Sequence, residues 1–318
     1  MCLEERSFRP HRFNGGYEMS DRILVTGAAG DVGSAVCDRL LERGFKVRAM
    51  VRGEDERSAR LAARGAEIAT GDLRDLHAAH RAIEGCDRIY FGMSVSPAYL
   101  EATINVAAVA KHHGVGAFVN ISQMTVSQMG ITSTTDSPQQ KLHWLAEQAL
   151  AWSGLPVVTI RATAFLDTFF LKLSMRSIRE HQEMRLPFGT GKISPIASGD
   201  VARVAASVLE APADHIGKVY ELTGLRSQGM HDIAGEFSQA LGRKITYVDV
   251  PWEPWRQALE DSGMLTPHVL SHLGTMALLI QQDRYDRLTN DVERVSGTPP
   301  LGVVDFVRRH ADAYRPTA

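Results

Sequence analysis

Arg22-Ile23-Leu24-Val25-Thr26-Gly27-Ala28-Ala29-Gly30-Asp31-Val32-Gly33 is the stretch on which the reading of this chain turns. Ile23 to Thr26 is a short run that reads as a buried strand. The period then changes: Val32, Ala35, Val36 and Leu40 fall on one face of a helix. Between strand and helix the glycines are spaced G-x-x-G-x-x-G. Gly27 permits a tight turn out of the strand. Gly30, lacking a Cβ, lets backbone approach a phosphate closely. Gly33 lets the helix pack tightly on a sheet. The helix N-terminus directs free N–H groups at an anion, with Ala29, Asp31 and Val32 forming the backbone around it. A glycine triplet alone is a weak signal. Set between an apolar strand and an amphipathic helix, it predicts a pyrophosphate site.

Outward from this loop, strand and helix patterns alternate. Gly44 stops the first helix, and Phe45 to Val51 is the second strand, ending at Arg52. In a dinucleotide fold that strand end lies beside the adenosine ribose. An acid there accepts the 2′-OH of NAD, whereas a base suits the 2′-phosphate of NADP. Arg52 therefore predicts NADP(H) in preference to NAD(H); the competing reading is a solvated surface arginine. Glu54 and Asp55 suit the start of the next helix, where the dipole favours acids. A third strand, Ala66 to Gly71, leads to Asp72-Leu73. Asp72 either caps the following helix or bonds the adenine amino group while Leu73 covers the ring. The fourth strand closes on Gly92 and Met93, where the missing side chain lets the chain pass close to a ligand. A helix from Tyr99 to His113, a fifth strand ending at Ser122, a helix from Gln139 to Trp152 and a sixth strand, Val157 to Arg161, complete the series. The Gln139–Trp152 helix is expected to carry Leu142, Leu145, Ala149 and Trp152 on one side. Short connections between alternating elements predict a doubly wound parallel sheet, with ligand at the C-terminal strand ends.

The bulk numbers agree with this reading. The chain has 318 residues, 44% hydrophobic and 23% charged, with a net charge of −2. This is the composition of a globular α/β protein. It offers no basic surface for nucleic acid and no apolar run able to span a bilayer. Cys2, Cys37 and Cys86 lack metal-like spacing and fit a reducing compartment. Residues 1–21 are polar, without the apolar core of a secretory signal. They read as a disordered extension, and the expected location is cytoplasmic. His112-His113 at a helix end are read as carbonyl caps. His268 and His272 could share a helix face, but no third ligand accompanies them, so no metal site is expected.

After Arg161 the character changes. Residues 162–318 hold an aromatic segment, turn-rich loops and Met- and Leu-rich helices, and read as a smaller C-terminal α/β lobe that binds substrate. Some of its segments return to the 22–161 nucleotide domain. Phe165, Phe169, Phe170, Phe188, Trp252, Trp255, Met264 and Met276 are expected to suit a flat apolar or aromatic substrate.

Together these motifs resemble the short-chain dehydrogenase/reductase superfamily, in its atypical, NmrA-like branch. The resemblance rests on Val25 to Gly33, Val51-Arg52, Gly71-Asp72-Leu73, Lys141 to Glu147, Gly154 to Phe165 and Gly199 to Arg203. It covers most of residues 22–310. It implies a Rossmann domain, NADP(H) more often than NAD(H), and a substrate cleft between two lobes. It also implies that Lys141 and the Thr163–Phe165 loop hold the nicotinamide end. Typical members carry Tyr-x-x-x-Lys before the sixth strand, the tyrosine giving a proton and the lysine lowering its pKa. Here the same register reads Ser137-Pro138-Gln139-Gln140-Lys141. Ser122 matches a substrate-side serine of the superfamily. The catalytic candidates are therefore Lys141, Ser122 and Ser137, with His143 as a fallback proton donor. An unassisted serine is a poor acid, so hydride acceptors that spread charge over a π system, quinones or conjugated dyes, suit the site. The rival reading is a non-catalytic NADP sensor acting through a regulatory protein partner. A homodimer is left open.

Overall fold

The computed structural model describes residues 22–315. The expected N-terminal extension and Cys2 lie outside the described residues. In the first half, β1 (Arg22–Val25), β2 (Lys46–Val51), β3 (Glu67–Thr70), β4 (Arg88–Phe91), β5 (Ala117–Gln123) and β6 (Val157–Ala162) are separated in turn by α1 (Asp31–Glu42), α2 (Glu56–Ala63), α3 (Leu76–Ile83), α4 (Tyr99–His112) and α5 (Pro138–Ser153). The second half supplies α6 (Met175–His181), β7 (Glu183–Leu186), β8 (Lys192–Ile193), α7 (Ser198–Glu210), β9 (Val219–Leu222), β10 (Gln228–Gly229), α8 (Met230–Leu241), β11 (Thr246–Asp249), α9 (Trp252–Asp261), α10 (Pro267–Gln281), α11 (Asp291–Ser296) and α12 (Val303–Arg309).

Seven strands form one sheet in the order β3-β2-β1-β4-β5-β6-β9. Every neighbouring pair in it is parallel. The order reverses direction between β1 and β4, the topological switch point at which such sheets bind ligands. Alternation along β1 sorts the core into two layers. Ile23 and Val25 pack with α1 and α7, while Leu24 packs with the cluster under α3, α4 and α5. Thus α7 and β9, though late in the chain, complete the nucleotide half. Among the described residues no helix is long and apolar enough to cross a membrane.

The smaller lobe has its own core and two short sheets, β11-β7 and β10-β8. That core corrects the expectation for the aromatics. Phe169, Phe170 and Phe188 are at most 1% exposed, Phe169 packing on Phe188 and Phe170 on Phe237. Two-stranded sheets bury little, so the lobe uses these three rings as filling rather than as a cleft lining. Met264 is 69% exposed.

Helix α5 supplies a second correction. Its buried face is Gln139, Gln140, His143, Ala146, Glu147 and Leu150, while Trp152 is 79% exposed. Burying Glu147 is tolerable because Arg161 on β6 forks onto its carboxylate at 2.6 and 3.1 Å. The two lobes are stitched together nearby. Asp167 accepts hydrogen bonds from the Ser198 N–H and hydroxyl, both at 2.8 Å, so one lobe caps the start of α7. Lys172 reaches Asp31 at the start of α1, at 2.5 Å.

Candidate active site

The glycine loop leaves β1 through Gly27, whose φ is +60°. A Cβ there would stand 2.5 Å from the Gly92 carbonyl oxygen. A Cβ on Gly33 would stand 2.3 Å from the Gly27 oxygen and 2.8 Å from its carbonyl carbon. The turn is thus closed on itself so tightly that only hydrogen fits at either position. Thr26 locks it to β4: its hydroxyl donates to the Gly92 oxygen at 2.9 Å and accepts from the Gly92 N–H at 3.0 Å. Gly30 is the N-cap of α1 and brings no side-chain cap. Among the described residues no side chain caps the first N–H groups of α1, at Asp31, Val32 and Gly33. Gly27 and Gly30 are exposed and Ala29 half-buried. A bare backbone cradle at a helix N-terminus is the geometry that fits a diphosphate.

Gly92 has a different reason for lacking a side chain from the one expected. A Cβ there would meet the Tyr90 ring at 2.8 Å. It serves internal packing against Tyr90 and Gly27. Met93, half-buried, packs on the core beneath α4.

At the adenosine end, Arg52 is exposed beyond β2. It acts electrostatically on Asp72. Asp72 does not cap α3. Asp75 does so, accepting from the His77 N–H at 2.9 Å. Asp72 instead closes a turn onto Arg74, taking its backbone N–H at 2.9 Å and its guanidinium at 2.6 to 3.1 Å. These bonds, with Arg52 behind them, hold the Asp72 carboxyl down to about 2. Arg74 is thus a second arginine beside Asp72, which sequence reading missed; its only signal was the two-residue spacing. Leu73 is half-buried against the α3–α4 core. Asn105 on α4 donates to the Arg74 carbonyl at 2.9 Å and pins this loop.

The three catalytic candidates have different surroundings. Lys141 is exposed on α5, and among the described residues no acceptor engages its Nζ. Ser122 is 2% exposed, and its Oγ has no hydrogen-bond partner. Ser137 is fully buried as the N-cap of α5. Its Oγ accepts from the Gln140 N–H at 3.2 Å and meets His272 Nδ1 of α10 at 2.9 Å. His268, one turn earlier on α10, meets the Gln139 amide oxygen at 2.9 Å. The shared face expected of these two histidines exists, and it faces α5. Sequence reading could not pair Ser137 with a residue 135 positions away.

Around these groups lies a concentration of buried polar atoms without partners: both side-chain atoms of Asn120, Ser122 Oγ, His143 Nδ1 and Thr163 Oγ1. Asn120 and Ser122 alternate onto one face of β5. Ser122 is in register with Arg161, and Thr163 follows two residues beyond it. Phe165 is half-buried just past Thr163. Buried polar groups ordinarily find partners, so these atoms are available to meet a ligand. No strong acid stands among them. Burial, with His268 nearby, brings His272 down to about 4. Burial, with His272 nearby, brings His143 down to about 3. Both rings are neutral near pH 7.

A cavity of about 560 Å³ lies elsewhere. Trp252, Leu270, Gly274 and Leu278 line it, on the side of α10 turned away from His272.

The profile described as the NmrA-like family matches residues 19–297. An NAD(P)H azoreductase of Xenophilus azovorans is 30% identical over 92% of this chain and 99% of its own. Among solved structures, an NADPH-dependent quinone oxidoreductase of Escherichia coli, complexed with NADPH, superposes with a TM-score of 0.78. It is 24% identical and covers 91% of this chain and 99% of its own. A triphenylmethane reductase of Citrobacter sp. gives 0.78 at 22% identity, covering 92% and 99%. These two structural likenesses are likenesses of fold.

Proposed function

The chain belongs to the NmrA-like family, and from that premise we propose that it is an NADP(H)-dependent reductase that passes hydride to a flat, conjugated acceptor such as a quinone, azo compound or dye. The observation that carries this is the coincidence of two features. A side-chain-free cradle at the start of α1 suits a diphosphate. A group of unpartnered buried polar atoms at the C-terminal ends of β5 and β6 suits the reacting end. The azoreductase relative, aligned along nearly its whole length, supports the reaction class.

In this reading the N–H groups of Asp31, Val32 and Gly33 bind the diphosphate. Arg52, with Arg74 beside it, selects the 2′-phosphate, and Asp72 and Leu73 hold adenine. Lys141, with a free ammonium, bonds the nicotinamide ribose or the acceptor. Thr163 and Ser122 offer hydroxyls to the carboxamide and the substrate. Ser137 is a positioning residue, since its hydroxyl already holds the helix start and His272. The bound nicotinamide supplies the hydride. Because both buried histidines are neutral, the protein has little acidity to offer. It suits acceptors whose charge is delocalised or, for a cationic dye, cancelled by the hydride itself.

The test is NADPH consumption by pure protein against a panel of quinones, azo compounds and cationic dyes. Turnover with at least one class is expected. Tight NADP binding with no turnover against any acceptor would overturn the reductase reading. It would favour a cofactor-sensing role through a protein partner, for which the missing tyrosine and the absence of a strong acid are the supporting observations.

A further inference from the structure

One group of three metal-ligating side chains occurs among the described residues: His80 on α3, with His112 and His113 at the end of α4. We propose that these three imidazoles bind a divalent transition ion of the zinc and nickel group, in a site separate from the dinucleotide cleft. His80 Nδ1 and His113 Nε2 stand 3.0 Å apart, and one nitrogen from each of the three rings lies within 4.8 Å of the others. Bonds of about 2.0–2.1 Å in a tetrahedral zinc site place neighbouring nitrogens about 3.3 Å apart. The His80–His113 pair therefore opens by about 0.3 Å to admit an ion, and the His112 nitrogen closes in by at most about 1.5 Å. His112 is exposed, and its ring is free to make that turn.

The other two ligands are held in advance. His113 is the C-cap of α4, its N–H bonded to the Val109 and Lys111 carbonyls. His80 sits in the last turn of α3, its carbonyl taking the Glu84 N–H at 2.9 Å. The side chains do not close helix carbonyls, as the sequence suggested for His112 and His113; the His113 ring meets His80 instead. Imidazole donors without thiolate select zinc, nickel or copper over magnesium or calcium. The fourth position falls to water or to Glu84, which lies within electrostatic range of His113. In a parallel βαβ sheet the helices run back against the strands. The ends of α3 and α4 therefore lie at the edge opposite the ligand-binding strand ends. An ion there joins two helices and takes no part in hydride transfer, so its effect falls on stability.

The experiment uses the full chain without an affinity tag. Calorimetric titration with zinc and with nickel is expected to give one saturable site per chain, and magnesium none. Zinc should raise the unfolding temperature, and cobalt should show visible absorption bands of nitrogen ligation. His112→Ala, at an exposed position, should weaken zinc at least tenfold, as should His80→Gln, with NADPH turnover in chelator-treated protein unchanged. Absence of a saturable one-to-one site in the parent protein would overturn the proposal. So would zinc affinity that stays at the parent value in the His112→Ala protein. Should His80→Gln fail to fold, His112→Ala and the cobalt spectrum decide alone.

Discussion

Replacing Ser137 by alanine separates a positioning role from a chemical one. The hydroxyl makes two buried contacts, with the Gln140 N–H at 3.2 Å and with His272 Nδ1 at 2.9 Å. Removing an N-cap costs about 1 kcal/mol. Leaving a buried ring nitrogen without its partner costs about 1–3 kcal/mol more. The sum, about 2–4 kcal/mol, lowers the melting temperature of a chain this size by roughly 3–6 °C. Since the hydroxyl is fully buried and engaged, kcat for NADPH oxidation should change less than about threefold, a small fraction of what loss of a general acid produces. Paired thermal unfolding and steady-state assays, with a quinone and with a cationic dye, read both quantities. Ser137→Thr keeps a hydroxyl and should recover most of the stability. The reasoning is refuted if Ser137→Ala melts like the parent while kcat with the quinone falls about a hundredfold. Ser137 would then donate a hydrogen bond to the substrate.

Lys141→Met should behave in the opposite way. An exposed, unpartnered lysine contributes within about 0.5 kcal/mol to stability, yet loss of a charge-assisted bond should lower kcat/KM by tenfold to a hundredfold; unchanged kinetics would remove Lys141 from the site. Arg52→Asp should weaken NADPH binding by roughly the same factor and NADH binding less than about threefold; equal losses in a calorimetric titration would show that Arg52 does not read the 2′-phosphate. Gly33→Ala puts a Cβ 2.3 Å from the Gly27 oxygen. Relief requires the loop to shift by about 1 Å, which should cost NADPH affinity and turnover about a hundredfold; parent-like binding would show that the loop is not the diphosphate cradle. Acid should destabilise the protein before the carboxylates titrate. His272 titrates at about 4 when folded against 6.5 as a free side chain, so the unfolded chain binds more protons between those values. Stability is fully present above about pH 6.5 and is lost as pH falls toward 4, by about 1.4 kcal/mol per pH unit for this ring. His143 adds a similar slope over a window that reaches down to about 3. Denaturant unfolding across pH measures this, and a flat profile for the parent protein, or an undiminished slope in His272→Gln, would contradict it.

The nucleotide half was legible in the linear order of residues because its information is local. Strand runs and helical periods, punctuated by Gly44, Gly65 and Gly154, each at positive φ, define units of about twenty residues, and parallel topology follows from their alternation. The same locality made the glycine loop readable: Gly27 and Gly33 are six residues apart, and their tight contact lies inside the motif.

The face of α5 was misread because its period is helical but its polarity is inverted. Gln139 and Glu147 are buried with the partners that α10 and Arg161 bring to them, and His143 packs on the Tyr99 ring. The rings of the smaller lobe were assigned to a cleft because composition does not distinguish filling from lining. Long-range packing settles that, and it places Phe169 on Phe188. A stretch of sequence thus specifies the shape of a turn through the volumes and φ preferences of its own residues. It does not specify which distant side chain meets Ser137 or His80, since those distances arise only when separate elements dock, and docking is governed by area buried across the whole core.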